Sequence, residues 1–518
     1  MQQSLAGAST SSSASSSRSS QTAGSRASGS GRPGPDYAQD PKARWLALIS
    51  VCLSLMVTSL TLSAASIAIP SIADQLQANA VMVSWIPTAL LWGSIVLMLP
   101  AGRVADIVGR KRVYLVGVTL FSISSLLIFA VGSIEALLGL RVMQGLSSSM
   151  VFGSGLAVVG SVFPPKARGQ ALGFAASSVY LGLTAGPLIG GWLTEHYGWR
   201  SVFWMPIPLT LLALLLVALF LKGEWKSETP ERLDWSGSLL FAAWVSATFL
   251  GISGLPEPES IALVVLGGGL LWWFIRHQNR VEFPLIRLQV LRQNRLLRRS
   301  IKASLFMYGA NFPIVFLLSL YLQYIQGMSP SEAGQLILIE TLVMMVLAPL
   351  AGRLSDRFEA RLISTAGCLC FAFGFGLLIW LQMDTSKLFI IVALAVLGLG
   401  FGLFSTPNNS AVMGAVPRSR MGIASAMLSL ARTLGNLVGT ALVMMLISWS
   451  IGEAAIEPDQ YPQLLWVVKT SLALSGLAAL VACYYSYTRG SVHQQPLASA
   501  TAAVTPPDAD RREQSSEG

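Results

Sequence analysis

Few residues in this chain are placed to do chemistry. His196, His277 and His493 stand far apart, with no nucleophile–base pair or metal-ligand spacing around them, so neither a catalytic centre nor a metal site is expected. Cys52, Cys368, Cys370 and Cys483 all lie in apolar runs without the spacing of a disulfide framework, and they read as packing residues. What is left is charge inside apolar surroundings: Arg141, Glu340 and Arg432. Glu340 lies about nine residues into its run, which at about 1.5 Å per residue puts it near the middle of a membrane. A carboxyl there can carry a proton, or it can pair with an embedded arginine such as Arg432; both readings stand. An arginine inside such a run must face protein or water, or else snorkel to an interface.

The elements that must hold these groups follow from composition. Of 518 residues, 53% are hydrophobic and only 12% charged, against about 25% charged in soluble domains; mean hydropathy is +0.61. So few charges cannot cover a surface facing water. Lipid must solvate most of the protein, which excludes a large soluble catalytic domain. Fourteen apolar stretches, each near the length of a membrane span, are bounded by charges, Gly or Pro: 45–69, 81–101, 113–132, 136–161, 169–192, 200–221, 235–254, 260–275, 300–324, 333–352, 362–382, 388–409, 421–449 and 464–487. The fold class is therefore an all-α polytopic membrane protein. Residues 1–43 form a polar tail with thirteen serines in its first thirty positions, expected to be disordered. Its Ser- and Arg-rich start also fits a transit peptide but lacks an amphipathic stripe. Residues 489–518 form a second polar tail.

The net charge of +10 invites a nucleic-acid reading, but the charge is distributed by loop. One set of loops holds Arg110, Lys111 and Arg112, then Lys166 and Arg168, Lys222 and Lys226, Arg353 and Arg357, and Arg418 and Arg420. The alternate loops hold mainly acids, including Asp74, Glu135, Glu332 and Glu457. This is membrane topology, not a nucleic-acid surface. The positive-inside rule puts the basic loops and both termini in the cytoplasm of a plasma or inner membrane. In the longest basic loop, Leu285, Leu288 and Leu291 repeat among arginines, which predicts a short helix lying on the inner leaflet.

The chain also repeats itself. Ala101-Gly-Arg-Val-Ala-Asp106 returns as Ala351-Gly-Arg-Leu-Ser-Asp356, and Gly182 and Gly186 return as Gly435 and Gly439. Two six-span bundles, 44–222 and 299–488, joined by a segment of two extra spans and a loop, 223–298, account for these offsets. Transporters of this kind place a site between two rocking halves.

The stretch from Gly102-Arg103 through Asp106 to Gly109-Arg110-Lys111 resembles the signature loop of the major facilitator superfamily, and the likeness runs from about Arg44 to Arg489. The resemblance implies the superfamily's fold and a gating role for this loop and for its degenerate second copy, Gly352, Asp356 and Arg357. Arg141-x-x-Gln144-Gly145 is similar to a motif that implies proton coupling. Gly182-x-x-x-Gly186-Pro187-x-x-Gly190-Gly191 resembles the hinge of the superfamily's antiporters, with Gly435 and Gly439 repeating its frame. Together with fourteen spans and Arg432-x-x-Gly435, these motifs resemble the drug:proton antiporter branch.

That branch places an aspartate and an amide in span 1. Counting back from Pro70, this chain has Thr61 and Ser66 there, which can neither carry a proton nor offset a cation. The cavity is expected to draw on Thr61, Ser66, Trp92, Tyr180, Tyr308, Asn311, Asn408, Asn409 and Arg432, and a neutral or anionic solute suits it as well as a cationic drug. The resemblance implies export of a small amphipathic organic compound in exchange for protons. The energy source is then the proton gradient, with no cofactor, and membrane lipid is the surrounding partner. A carrier for one metabolite and a non-transporting receptor are the alternatives, and no accessory protein is identified.

Overall fold

In a computed structural model, residues 41–221, 223–226, 232–286, 288–416, 421–452 and 454–490 are described. Most of both predicted tails, together with Lys222, Arg287, Arg418 and Arg420, lies outside them. Fourteen helical stretches are long and apolar enough to cross a membrane, and no strand occurs among the described residues.

The first bundle comprises α1 (Pro41–Ile67), the short α2 (Ile69–Leu76), α3 (Ala80–Val108), α4 (Arg110–Leu127), α5 (Ile134–Val162), α6 (Pro165–Tyr197), the single turn α7 (Ser201–Trp204) and α8 (Ile207–Phe220). A hairpin follows, α9 (Trp235–Ser253) and α10 (Pro258–Gln278), then α11 (Leu288–Gln293). The second bundle holds α12 (Arg295–Asn311), α13 (Pro313–Leu320) continued by a π-helical turn to Ile325, α14 (Pro330–Arg357), α15 (Ala360–Leu378), α16 (Lys387–Gly414), α17 (Met421–Ser450) and α18 (Tyr461–Tyr487). α1 begins inside the expected tail. It stops short of the predicted end at 69 because the chain breaks at Ala68, and Pro70 sits in the first turn of α2, where a missing N–H is tolerated.

Polar residues start the helices. Asn79, Ser133, Asp234 and Ser386 each accept a backbone N–H as N-caps, and Ser329 with Glu332 forms a capping box. α3 and α4 meet at Gly109, whose φ of 130° favours glycine, and a Cβ there would strike the Glu224 carboxylate.

The core is divided by depth. One cluster, from Ala43 to Leu221 with Trp225 of the linker packed against it, holds no second-bundle residue and lies at the end carrying Arg110–Arg112, here termed the basic end. A second joins α3 to α17 through the extra hairpin. The largest merges both bundles at the opposite, acidic end, with Ile69, Val83 and Trp199 packed in one cluster with Phe316, Tyr321 and Leu464. Leu285 and Ile286 are buried in the second cluster, and Leu291 packs against it. Leu285 and Leu291 thus dock on protein rather than on a leaflet, because the hairpin offers a closer apolar surface; the Leu288 side chain lies outside the described residues, and only 288–293 is helical.

Candidate functional site

Glycines set how closely the helices approach. On α6, a Cβ at Gly182 would stand 2.2 Å from the Met56 carbonyl oxygen, and Gly186 and Gly190 press on Ser63 and Ala64, so all three form a seam with α1. In the second bundle Gly435 and Gly439 press on the backbone of Leu305 and Gly309, forming the same seam between α17 and α12. Gly191 and Pro187 instead meet Pro330 and Gly334 of α14, across the two bundles. α6 runs on through Pro187 without interruption.

These seams turn a polar cluster inward at mid-depth. The Tyr180 hydroxyl of α6 lies 3.4 Å from the Tyr308 hydroxyl of α12 and 3.2 Å from Ser405 Oγ of α16. The Arg432 guanidinium of α17 lies over the Tyr308 ring, 4.9 Å from its centroid, and Arg432 Nη2 donates to Asn409 Oδ1. Four of the predicted cavity residues therefore meet. Ser405 was not foreseen, although it lies four residues before Asn409 on the same helical face. Three buried atoms on the same helices have no hydrogen-bond partner: Arg432 Nε, Asn311 Oδ1 one turn after Tyr308, and Thr184 Oγ1 one turn after Tyr180.

Other candidates lie elsewhere. Trp92 Nε1 donates to Ser246 of α9, 3.0 Å away, facing the extra hairpin. Thr61 is buried, its hydroxyl donating to the Val57 carbonyl, and Ser66 is buried. Asn408 projects into the second bundle, where Nδ2 donates to Ser304 Oγ at 2.7 Å and Oδ1 accepts from Arg489 Nη1 at 2.8 Å. Arg489, assigned by sequence to the polar tail, is only 2% exposed, because Asn408 and Ser364 supply its acceptors.

Glu340 is 4% exposed and shares the inward face of α14 with Ile337 and Met344. Among the described residues it forms neither a hydrogen bond nor an ion pair, so the pairing with Arg432 is not made in this state. Its backbone packs on Gly398 of α16, seven residues before Ser405. At about 1.5 Å per residue, Glu340 lies about 10 Å nearer the acidic end than the tyrosine cluster. Arg141 is 0% exposed, which removes the snorkelling alternative. Its Nε donates to the Ile86 carbonyl and Nη1 to Gln144 Oε1, both at 3.0 Å. Gln144 Nε2 donates to Ser125 Oγ, and Phe203 stacks at 5.5 Å. A Cβ at Gly145 would strike the Leu90 carbonyl, so this glycine lets α3 and α5 close around the arginine.

At the basic end the signature loop binds its own bundle and the linker. Asp106 accepts from Arg110 at 2.9 Å, and Arg110 Nη1 reaches Ser161 at 2.6 Å. Lys111 N donates to Glu224 at 2.8 Å, and Arg103 Nη2 donates to the Pro284 carbonyl at 2.6 Å. Gly102 has open space around it, Gly352 faces Thr406, Arg357 is exposed, and the Asp356 side chain lies outside the described residues. At the acidic end the bundles bond directly. Glu195 Oε2 accepts from Ser329 Oγ at 2.9 Å and Ser331 N at 3.1 Å, Gln323 donates to the Ile67 carbonyl at 3.0 Å, and Ala80 N donates to the Ala454 carbonyl at 3.1 Å. No local sequence signal marked Glu195 or Glu224, whose partners are distant in the chain.

The arrangement has counterparts among known proteins. The chain is 31% identical over 411 residues to the riboflavin transporter RibZ of Clostridioides difficile, covering 79% of this chain and 90% of that protein. It is 30% identical over 427 residues to the multidrug resistance protein Stp of Mycobacterium tuberculosis, covering 80% and 78%. With the tetracenomycin C resistance and export protein of Streptomyces glaucescens it shares 28% over 424 residues, covering 81% and 78%. Among solved structures, an inward-facing, unoccupied bacterial homologue of the human lysosomal transporter Spinster matches with a TM-score of 0.62 at 16% identity, covering 87% of this chain and 97% of that one. Inward-open XylE from Escherichia coli matches at 0.58 and 13%, covering 86% and 97%. The Major Facilitator Superfamily sequence profile spans residues 51–440, and with the paired bundles and repeated glycine seams above, this chain is a multi-pass membrane transporter that belongs to that superfamily.

Proposed function

We propose that the protein exports amphipathic organic solutes across a bacterial plasma membrane in exchange for protons, by alternating access. The observation that carries this reading is the polar cluster of Tyr180, Tyr308, Ser405, Asn409 and Arg432, drawn from both bundles at mid-depth below a sealed acidic end. In this scheme the basic loops and both termini face the cytoplasm, and the hydrogen bonds and shared apolar core at the acidic end hold the outer side shut, as loading of an exported solute requires. Glu340, unpaired and about 10 Å nearer the sealed end, is the proton carrier in this scheme. Proton and solute then bind at separate depths and are coupled through the rocking of the bundles. Relatives named for multidrug resistance and for export support the direction. Purified protein in liposomes with an imposed pH gradient tests the reading: proton flux should rise with added amphipathic solutes, and an uncoupler should abolish solute accumulation. Solute movement indifferent to the gradient would reject it. A second reading, a carrier for one metabolite, is favoured by the relative named as a riboflavin transporter; response to a single solute in the same screen would select it.

A further inference from the structure

We propose that the mid-depth cluster is an anion-recognising site, selective for planar aromatic solutes that bear a carboxylate, with Arg432 as the residue that reads the charge. The inference rests on the transport reading above and specifies its substrate class.

Arg432 is half-buried, Nη2 donates to a neutral amide, Nε is buried without a partner, and no carboxylate pairs with it among the described residues. A guanidinium in apolar surroundings without a counter-ion is costly, and the contact with the Tyr308 ring offsets only part of that cost. The span-1 positions nearest in kind to an acid are Thr61 and Ser66, both buried and neutral. Glu340 lies about 10 Å away along the bundle axis, on a helix whose backbone packs on Gly398 rather than on the tyrosine pair. The local field is therefore positive, and a cationic solute entering it would meet repulsion with no carboxylate to receive it.

A carboxylate reverses each of these terms. It supplies the missing counter-charge and fits the planar donor fork of arginine. Tyr180 and Tyr308 supply aromatic surface beside it, and the buried Phe401, edge-on to Tyr308 at 5.2 Å, backs the Tyr308 ring. Thr184 Oγ1 and Asn311 Oδ1, each buried without a partner one turn from Tyr180 and Tyr308, leave a donor and an acceptor for polar ring substituents.

The test uses three probes that share one ring system: 2-naphthoate, neutral 2-naphthamide and cationic 2-naphthylmethylammonium. Binding to the purified full-length protein is read by quenching of intrinsic fluorescence, and transport by proton flux in proteoliposomes. The naphthoate should bind at least about tenfold more tightly than the ammonium compound, with the amide between them. Arg432→Gln should bring the three within about threefold of one another, and Arg432→Lys should keep the order at reduced affinity. Ammonium binding equal to or tighter than naphthoate, or no naphthoate binding at millimolar concentration, overturns the proposal; so does a folded Arg432→Gln with an unchanged ratio. The wild-type ratio decides the matter even if the variants do not fold. Naphthoate selectivity without proton flux would reject the antiport reading and leave the substrate class standing. Proton flux driven only by the ammonium compound would do the reverse.

Discussion

Glu340 and Arg432 are two of the three charges set inside apolar spans, Arg141 being the third, and they are not paired. In the proposed scheme this separation gives each a different partner, a proton for one and a solute for the other. Glu340→Gln, which keeps the shape and removes the titrating group, should abolish solute accumulation driven by a pH gradient. Solute counterflow and thermal stability should stay within about twofold and a few degrees of wild type. Gradient-driven accumulation at the wild-type rate would discard Glu340 as the carrier. Both residues were legible in the sequence, because charge inside an apolar run is conspicuous without knowing its neighbours. Asn408 was not: its type marked it as a polar candidate, but its face on α16 turns it to Arg489 and Ser304 rather than to the bundle interface. Only the rotation of a helix decides which of two adjacent amides lines a site.

Two seams and a clip carry the element scale. Because a Cβ at Gly182 would lie 2.2 Å from a backbone oxygen of α1, and one at Gly435 lies equally close to the Leu305 carbonyl, Gly182→Val and Gly435→Val should each destabilise the protein. The overpacking cost is about 1–3 kcal/mol or more, visible as a lowered melting temperature in detergent; wild-type stability in both would remove the seams from the account. The clip sits where α9 begins and α10 ends. Asp234 accepts from Gly237 N at 2.8 Å, from His277 Nε2 and Gln278 Nε2 at 2.9 Å each, and Gln278 in turn holds Ile286 N at 3.3 Å. Burial alone would raise the Asp234 carboxyl, but the His277, Gly237 and Gln278 hydrogen bonds outweigh it and hold its pKa below the usual value. Its contribution is therefore present above the ordinary aspartate value of about 3.9 and fades as pH falls through the lowered one. Asp234→Asn should cost roughly 1–2 kcal/mol at neutral pH, and its melting temperature should converge with wild type only in strong acid. A gap that persists undiminished there would assign the effect to packing.

At the scale of the whole molecule, the state is set by which end is sealed. Glu195 on the first bundle receives the first turn of α14 from the second, and one apolar core runs through both bundles at that end. If this seal defines one of two alternating states, Glu195→Cys with Ser331→Cys should be bridged by a short bis-methanethiosulfonate, which joins the two thiols through reducible disulfides. The four native cysteines would first be replaced by alanine. Transport should then fall to background and return on reduction; transport that continues in the cross-linked protein would show that the seal need not open. Fourteen spans, their duplication in two bundles and the buried charges could be read from the chain, because hydropathy and motif spacing are local and lipid imposes helices on every spanning segment. The meeting of Tyr180 with Tyr308, the docking of the linker on α3 and the choice of sealed end were decided only in three dimensions. Each depends on contacts between residues more than a hundred positions apart, whose pairing follows from helix rotation and close approach rather than from any periodicity along the sequence.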